Sequence, residues 1–169
     1  MDTMVDMAKI AEEIDFYARE LVALDLLEWH GGNISVRDGD HLIINRTRAF
    51  ATDRGSMPVV RTGIAFDDDE TPWASSALAI HRAIYRETDA QAIIHAHPRD
   101  AVLLSFFEDA IEPIEENGRL YLGDRVPIVE APELFGWNLV ADDLARALQK
   151  SRAVVLRWHG SFAIGPTLD

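Results

Sequence analysis

The chain of 169 residues contains no cysteine, which excludes disulfides and thiolate metal ligands. It also lacks any apolar run that approaches the ~20 residues of a membrane-spanning helix. The N-terminus has neither the basic start nor the apolar stretch of a secretory signal peptide. These absences are consistent with a cytoplasmic protein that has no membrane partner.

Basic residues are also scarce, because 16 lysines and arginines face 29 acidic residues and the formal net charge is -13 at pH 7. Charge repulsion therefore argues against broad contact with nucleic acid or anionic lipid. A chain this acidic needs a local cluster of hydrogen-bond donors, or a metal, to bind an anionic substrate. The 48% of hydrophobic residues is typical of a globular protein, and the length predicts a single domain over residues 1–169.

Hydrophobic spacing predicts helices and short strands in alternation. A spacing of three to four residues from Ile10 to Leu24 predicts a first helix, which Gly31-Gly32 would end. Acidic stretches at 67–72 and 112–116 are expected to be solvated surface. Further helices are expected near 74–86, 101–107 and 140–148, and strands near 33–37, 41–45, 58–61, 92–97, 126–129, 153–157 and 161–164. The alternation predicts a layered α/β or α+β domain, and the short strand spacing favours a mostly antiparallel or mixed sheet.

Three histidines are the most informative residues. His95 and His97 end an apolar run that predicts a strand, and side chains two residues apart on a strand point to the same face. His159 follows a distant predicted strand and precedes Gly160. Three imidazoles can hold a divalent metal with one position left open, as catalytic sites do. The alternative is a pair of polar residues at a strand end, hydrogen-bonded to nearby carbonyls.

A second, dispersed set of polar residues suits an anion. Asn33 follows Gly32, Thr47 follows a strand, and Ser75-Ser76 is expected to open a helix. Hydroxyls, an amide and free N–H groups at a helix start fit a phosphate or carboxylate. The same residue types are common caps and turn residues, and the local sequence by itself favours that interpretation.

The other histidines and the tryptophans carry weaker signals. His81 lies on the helix before the histidine strand and is expected to support the site from behind the ligands. His30 is expected at a helix C-terminus, where the helix dipole favours a cation. The four tryptophans are expected in packing or interfaces rather than as a substrate platform.

Several short motifs occur together in a characteristic order. They are Gly32-Asn33-Ile34-Ser35-Val36-Arg37, Ser75-Ser76 with His81 and Tyr85, Ile94-His95-Ala96-His97-Pro98, Gly123 with Val126-Pro127, and His159-Gly160. With them the chain resembles, over nearly its whole length, the class II aldolase/adducin family, and within it the archaeal type of fuculose-phosphate aldolase. The resemblance implies a three-layer α/β/α fold with a central, mostly antiparallel sheet.

The resemblance also implies a site and a chemistry. His95, His97 and His159 would hold a divalent metal, most often zinc. Family members cleave or form carbon–carbon bonds in sugar phosphates, or epimerise, dehydrate or decarboxylate related substrates, with a metal that stabilises an enediolate. They tend to be homotetramers with active sites near subunit interfaces. The residues near the family's phosphate-binding positions are Asn33, Thr47, Ser75 and Ser76.

The chain departs from this family at three places. Ala77 stands where the family has a glutamate after the Ser-Ser pair, which binds the resting metal or serves as the general base. The phosphate loop lacks its usual glycine, so that Arg46 or Arg48 would bind the anion through a guanidinium. The sequence stops at Asp169, whereas family members usually continue into further helices that can supply a catalytic tyrosine.

Three functions therefore stay open. The first is a metal-dependent lyase that acts on a small sugar phosphate or related hydroxy-carbonyl compound. Glu70 or a metal-bound hydroxide would be its substitute base, and Tyr121 its proton donor. The second is a decarboxylase of the same fold, which needs an electron sink but no base for a carbon-bound proton. The third is a non-catalytic, adducin-like protein for binding or assembly, which Ala77 favours and the three histidines oppose.

Overall fold

The computed structural model describes residues 6–27, 31–49, 57–133 and 136–169, so that the expectation for His30 lies outside the described residues. The helices are α1 (Met7–Ala23), α2 (Leu78–Glu87), α3 (Arg99–Leu104), α4 (Glu116–Leu122) and α5 (Ala141–Leu148), with 3-10 turns at Thr71–Trp73 and Trp137–Val140. The strands are β1 (Asn33–Asp38), β2 (His41–Asn45), β3 (Val59–Gly63), β4 (Ala92–Ala96), β5 (Ala110–Ile111), β6 (Val126–Val129), β7 (Ala153–Leu156) and β8 (Gly160–Gly165). None of these helices is long and apolar enough to cross a membrane.

The strands form one sheet in the order β3-β2-β1-β4-β8-β7-β6-β5. Neighbouring strands are antiparallel except β6 and β7, which are parallel. The prediction of a mostly antiparallel, mixed sheet is therefore confirmed. The register pairs Asn33 with His95 and Ala96 with Ser161. The start of β1, the end of β4 and the start of β8 thus meet at one edge of the sheet.

Helices cover both faces of the sheet, as the α/β/α expectation requires. Side chains alternate along β2, so that Leu42 and Ile44 pack in the cluster that contains residues of α2 and α5, while Ile43 packs with Ile14 of α1. A third cluster joins β6 and β7 to Ala101 of α3 and Leu122 of α4. The two large clusters keep the central strands buried, and this holds the sheet edge that carries the histidines in a fixed geometry.

Several element predictions were wrong in detail. α1 ends at Ala23 rather than at Gly31-Gly32, because the chain turns at Asp25, whose φ of 59° is left-handed. Ser75-Ser76 does not open α2, which begins at Leu78. Neither β5 nor α4 was predicted, since one is two residues long and the other follows an acidic stretch expected to be solvated surface. Thr71–Trp73 forms a 3-10 turn where a plain loop was expected.

Asp68 organises the loop between β3 and this 3-10 turn. Burial by itself raises the pKa of its carboxyl, but hydrogen bonds to the charged form outweigh burial and lower the pKa to about 2. The 3-10 turn also positions Ser75, whose N–H donates to Asn45 O at 3.1 Å. Five groups donate to the carboxylate: the hydroxyls of Thr62 at 2.8 Å and Thr71 at 3.1 Å, and the N–H groups of Gly63 at 3.0 Å, Glu70 at 3.1 Å and Thr71 at 3.0 Å.

We expect Asp68→Asn to lower the free energy of unfolding by about 1–2 kcal/mol near neutral pH, the modest range for partly exposed charged hydrogen bonds. Because the folded-state pKa lies below the usual value, this stabilisation is present above about pH 4 and is lost as the pH falls towards 2. Urea unfolding of both proteins across this range measures the effect. As the pH falls, the free energy of unfolding of Asp68→Asn should decrease less steeply than that of the wild-type protein. The same pH dependence in both proteins would contradict the role of the Asp68 carboxylate.

Candidate metal centre and substrate cavity

The structure brings the three predicted histidines together at the sheet edge. The Nε2 atom of His95 lies 3.1 Å from Nε2 of His97 and 3.2 Å from Nε2 of His159. One nitrogen from each ring falls within 4.8 Å of the others. His95 is buried, whereas the other two histidines are half-buried. One side of the cluster is therefore built into the protein and the other opens towards the surface.

These nitrogens fit a divalent metal. Ligands about 2.0–2.1 Å from a tetrahedral ion lie about 3.3 Å apart, close to the two measured separations. The Nδ1 of His95 lies 2.9 Å from Ser161 O, and donation to this carbonyl leaves the Nε2 lone pair directed at the cluster. The carbonyl contact expected as the alternative to metal binding thus exists, and it orients His95 as a ligand.

His95 and His159 are held in the neutral form that binds metals. Burial, followed by the proximity of His97, lowers the pKa of His95 well below its usual value. The same two causes, in the same order, lower the pKa of His159 to about 4. Near neutral pH both rings therefore offer a lone pair without first losing a proton.

Two glycines allow the histidine-bearing segments to approach one another. A Cβ on Gly160 would lie 2.5 Å from Ala96 O and 2.6 Å from the ring of His97. Gly32 has a φ of 73°, and a Cβ there would lie 2.5 Å from His95 O. Any larger residue at either position would push β4 away from its neighbours, so these glycines are required by the close packing of the site.

One cavity of about 140 Å³ contains the histidines and the predicted anion-binding residues. Ser75 is buried in its wall, while Thr47, Arg48 and Ser76 are exposed at its rim. The described residues that line it include no aspartate or glutamate. They are Gly31, Gly32, Asn33, Asn45, Arg46, Thr47, Arg48, Ala49, Ser75, Ser76, Ala77, His95, His97, Trp137, His159 and Phe162.

The two candidate proton-transfer residues do not join this cavity. Glu70 is exposed at the start of the 3-10 turn, where its N–H donates to Asp68. Tyr121 lies on α4 with 64% of its surface exposed, and it lines a separate groove together with Arg152. The expectation that these residues act beside the metal within this chain is therefore corrected. Glu70 is near Ser75 in sequence, but the intervening turn directs the chain elsewhere.

Two aromatic residues in the cavity wall were missed by sequence reasoning. The ring of Trp137 stacks on His159 with centroids 5.9 Å apart, and Phe162 stacks on His95 at 4.2 Å. Trp137 was expected only in packing or interfaces. No local signal distinguishes it, since it lies in a 3-10 turn far from the histidines in sequence. Alternation along β8 could have placed Phe162 opposite its exposed neighbour Ala163.

Fold and site together define an α/β/α protein with a candidate three-histidine metal centre at one edge of a mostly antiparallel sheet. Residues 12–169 match the sequence model of the class II aldolase and adducin N-terminal domain. The chain belongs to this family, and class II aldolases are metal-dependent. The resemblance of the motifs to this family is therefore confirmed.

Relatives with assigned names are similar over most of the chain. The crystal structure of L-fuculose-1-phosphate aldolase from Thermus thermophilus is 30% identical with a TM-score of 0.82, covering 96% of this chain and 81% of that one. L-fuculose phosphate aldolase of Haemophilus influenzae is 26% identical, covering 98% of this chain and 76% of the relative. A 5-methylthioribulose-1-phosphate/5-deoxyribulose-1-phosphate aldolase of Escherichia coli is 27% identical, covering 98% and 78%.

Proposed function

We propose that this protein is a metal-dependent lyase that acts on a small sugar phosphate or a related hydroxy-carbonyl compound. The observation that carries the proposal is the shared cavity, which is lined both by the three clustered histidines and by the residues predicted to bind an anion. The names of the relatives support the same substrate class, since both L-fuculose phosphate and 5-methylthioribulose-1-phosphate are phosphorylated sugars.

The anion would bind to donors that line the same cavity as the histidines. The amide of Asn33 and the hydroxyls of Ser75 and Ser76 supply neutral donors. Arg46 and Arg48 add positive charge, which a chain of net charge -13 needs at the place where it binds an anion. The guanidinium of Arg46 lies 5.0 Å from the ring centroid of Trp73, a cation–π contact that limits its motion.

The carbonyl end of the substrate would lie at the histidines. His95, His97 and His159 would hold a divalent metal, for which we propose zinc, and the bound metal would supply Lewis-acid polarisation of the carbonyl oxygen. Ser161 O holds the His95 ring in place through Nδ1. Trp137 and Phe162 cover two of the ligands with apolar surface, which limits the access of water to the reacting atoms.

Proton transfer is the step that this cavity supports least. Cleavage of a carbon–carbon bond beside a hydroxyl requires a group that accepts the hydroxyl proton, and Ala77 offers none. The described lining residues contain no carboxylate to replace it. We therefore expect slow turnover with sugar phosphates, limited by this proton transfer.

The same observation favours a second candidate, a metal-dependent decarboxylase. Loss of carbon dioxide leaves its electron pair on the substrate without removal of a carbon-bound proton. The substrate carbonyl accepts this electron pair, and a bound metal would supply the polarisation that favours it. The proton that later replaces carbon dioxide can come from solvent. Arg46 and Arg48 are suited to hold the substrate carboxylate.

For either activity we also propose a homo-oligomer, since Leu103, Phe106 and Phe107 expose apolar surface near the histidines.

Activity assays on the zinc-loaded protein separate these candidates. We expect a sugar-phosphate product from dihydroxyacetone phosphate and short aldehydes, followed by mass spectrometry, and no product from the His159→Gln variant. His41→Gln is the matched control, because His41 lies at the start of β2 outside the cavity. Carbon dioxide release from keto acids without any condensation product would favour the decarboxylase. A metal-loaded protein that is inactive in both assays would contradict the proposed enzyme.

A further inference from the structure

A chain of buried polar side chains runs from the core to the wall of the cavity. The hydroxyl of Tyr85 lies 2.8 Å from Ser35 Oγ, which lies 2.7 Å from His81 Nδ1. On the other side of the same ring, His81 Nε2 is hydrogen-bonded to Asn33 Oδ1. Asn33 in turn lines the cavity. Through this hydrogen bond His81 therefore contacts Asn33, a residue proposed to bind the substrate, rather than a candidate metal ligand.

The four side chains are shielded from water, so the contacts between them must be satisfied within the protein. Ser35 and His81 are completely buried, Tyr85 is 2% exposed and Asn33 is 8% exposed. Burial lowers the pKa of His81 to about 3, so the ring is neutral near pH 7. A neutral imidazole donates through one nitrogen and accepts through the other. The hydrogen bonds along the chain can therefore run in only two directions.

The two directions present different groups of Asn33 to the cavity. In the first, Tyr85 donates to Ser35, Ser35 donates to Nδ1 of His81, and Nε2–H of His81 donates to Asn33 Oδ1. The N–H groups of the Asn33 amide then remain for the cavity. In the second direction, Nδ1–H of His81 donates to Ser35, and Ser35 donates to Tyr85. The Asn33 amide is flipped, so that its N–H donates to Nε2 of His81 and its carbonyl oxygen faces the cavity.

The residue at the buried end decides between these directions. A phenol is a better donor than acceptor, because its oxygen lone pair is delocalised into the ring. Burial raises the pKa of Tyr85, so its hydroxyl keeps the proton that it donates. The guanidinium of Arg37 lies 4.9 Å from the centroid of the Tyr85 ring and draws electron density from it, which strengthens the phenol as a donor. All of these features favour donation from Tyr85 towards Asn33.

We propose that His81 is a positioning residue, held as the Nε2–H tautomer by Ser35 and Tyr85, which fixes the Asn33 amide with its N–H groups towards the cavity. The proposal rests on the proposed function in one respect, since it takes the bound group to be an anion or another oxygen acceptor. It adds three residues that do not themselves touch the substrate. It also explains why polar groups are placed in the core next to α2, where apolar side chains would pack without hydrogen bonds.

His81 also packs against Phe162, with ring centroids 6.1 Å apart, so removal of its ring would disturb the site sterically. The sharper variant is Tyr85→Phe, which keeps the aromatic ring and removes only the donor at the far end of the chain. Tyr17→Phe is the matched control, because Tyr17 lies on α1 and packs against the other face of the sheet.

Two measurements on the full-length, zinc-loaded protein test the proposal without an activity assay. Imidazole ¹⁵N NMR should show His81 protonated at Nε2 and unprotonated at Nδ1. Calorimetric titration with inorganic phosphate should show affinity reduced about tenfold in Tyr85→Phe, by analogy with the lower end of the 10–100-fold effect of groups that orient metal ligands. Tyr17→Phe should bind phosphate as the unmodified protein does.

A proton on Nδ1 of His81 would overturn the proposal, as would unchanged phosphate affinity in Tyr85→Phe. An equal loss of affinity in Tyr17→Phe would also overturn it, because the effect would then reflect general destabilisation. These outcomes are separate from the proposed function. If the predicted tautomer and phosphate effect are found while condensation and decarboxylation assays are negative, the anion site stands and the proposed lyase fails.

Discussion

Replacement of His159 by glutamine is expected to weaken zinc binding by at least about 100-fold, since even groups that only orient a metal ligand typically change affinity 10–100-fold. The imidazole of His159 supplies one of three nitrogens that lie close enough to share an ion. Glutamine keeps a polar side chain of similar length but offers a poor ligand for zinc. A competition titration against a chromogenic chelator measures the affinity directly.

His159 is the best of the three histidines for this test. It is half-buried and follows β7 in the turn that leads into β8, whereas His95 is 2% exposed and its replacement would disturb the core. His41→Gln is the control for the loss of a histidine as such, because His41 lies far from the cluster along the sheet. There the Nδ1 atom of His41 is hydrogen-bonded to Asp40 at 2.5 Å. Equal zinc affinity in His159→Gln and the unmodified protein would refute the assignment of this residue as a ligand.

Introduction of a carboxylate at position 77 is expected to increase carbon–carbon bond cleavage of a sugar phosphate by roughly 10²–10⁴-fold, the usual contribution of a general base. Ala77 is 4% exposed and lines the cavity with Ser76 and the histidines. In Ala77→Glu the new side chain would start from the turn before α2 and extend into the space that the cavity provides. Turnover measured at saturating substrate isolates the chemical step from binding.

Ala77→Gln is the matched control, because it has nearly the shape of the glutamate variant but cannot accept a proton in the same way. We expect it to remain as slow as the unmodified protein. An equal increase in both variants would indicate a packing effect. No increase in Ala77→Glu, with zinc bound and the fold intact, would show that a missing base does not limit this reaction and would favour decarboxylation.

The alternation of strand side chains was sufficient to predict that two of the three clustered histidines share a direction. His95 and His97 are two residues apart on β4 and its extension, so their common direction follows from the two-residue period of any strand. His159 was included from its position before a glycine and from the resemblance. Its place beside His95 depends on the pairing of β8 with both β4 and β7, which is a long-range property of the sheet.

The residues predicted to bind an anion could not be grouped from the sequence in this way. Each of Asn33, Thr47 and Ser75 has an ordinary local explanation as a cap or turn residue, and the local pattern favoured that explanation. They share one cavity because β1 pairs with β4 and because the N–H of Ser75 bonds to Asn45 O at the end of β2. Glu70 was predicted as the substitute base because it is near Ser75 in sequence, but the 3-10 turn stabilised by Asp68 leaves Glu70 at the surface.

The sequence by itself determined the fold class and the pair of histidines with a common direction, since both follow from periodicity and from the order of the motifs. It also identified Ala77 as the position at which the resemblance implies a glutamate. Only the tertiary structure decided which distant residues share the cavity and which do not, because strand pairing and turn geometry set those distances. It also revealed the buried path from Tyr85 to Asn33. Hydrogen bonds between residues some fifty positions apart leave no periodic trace in a sequence.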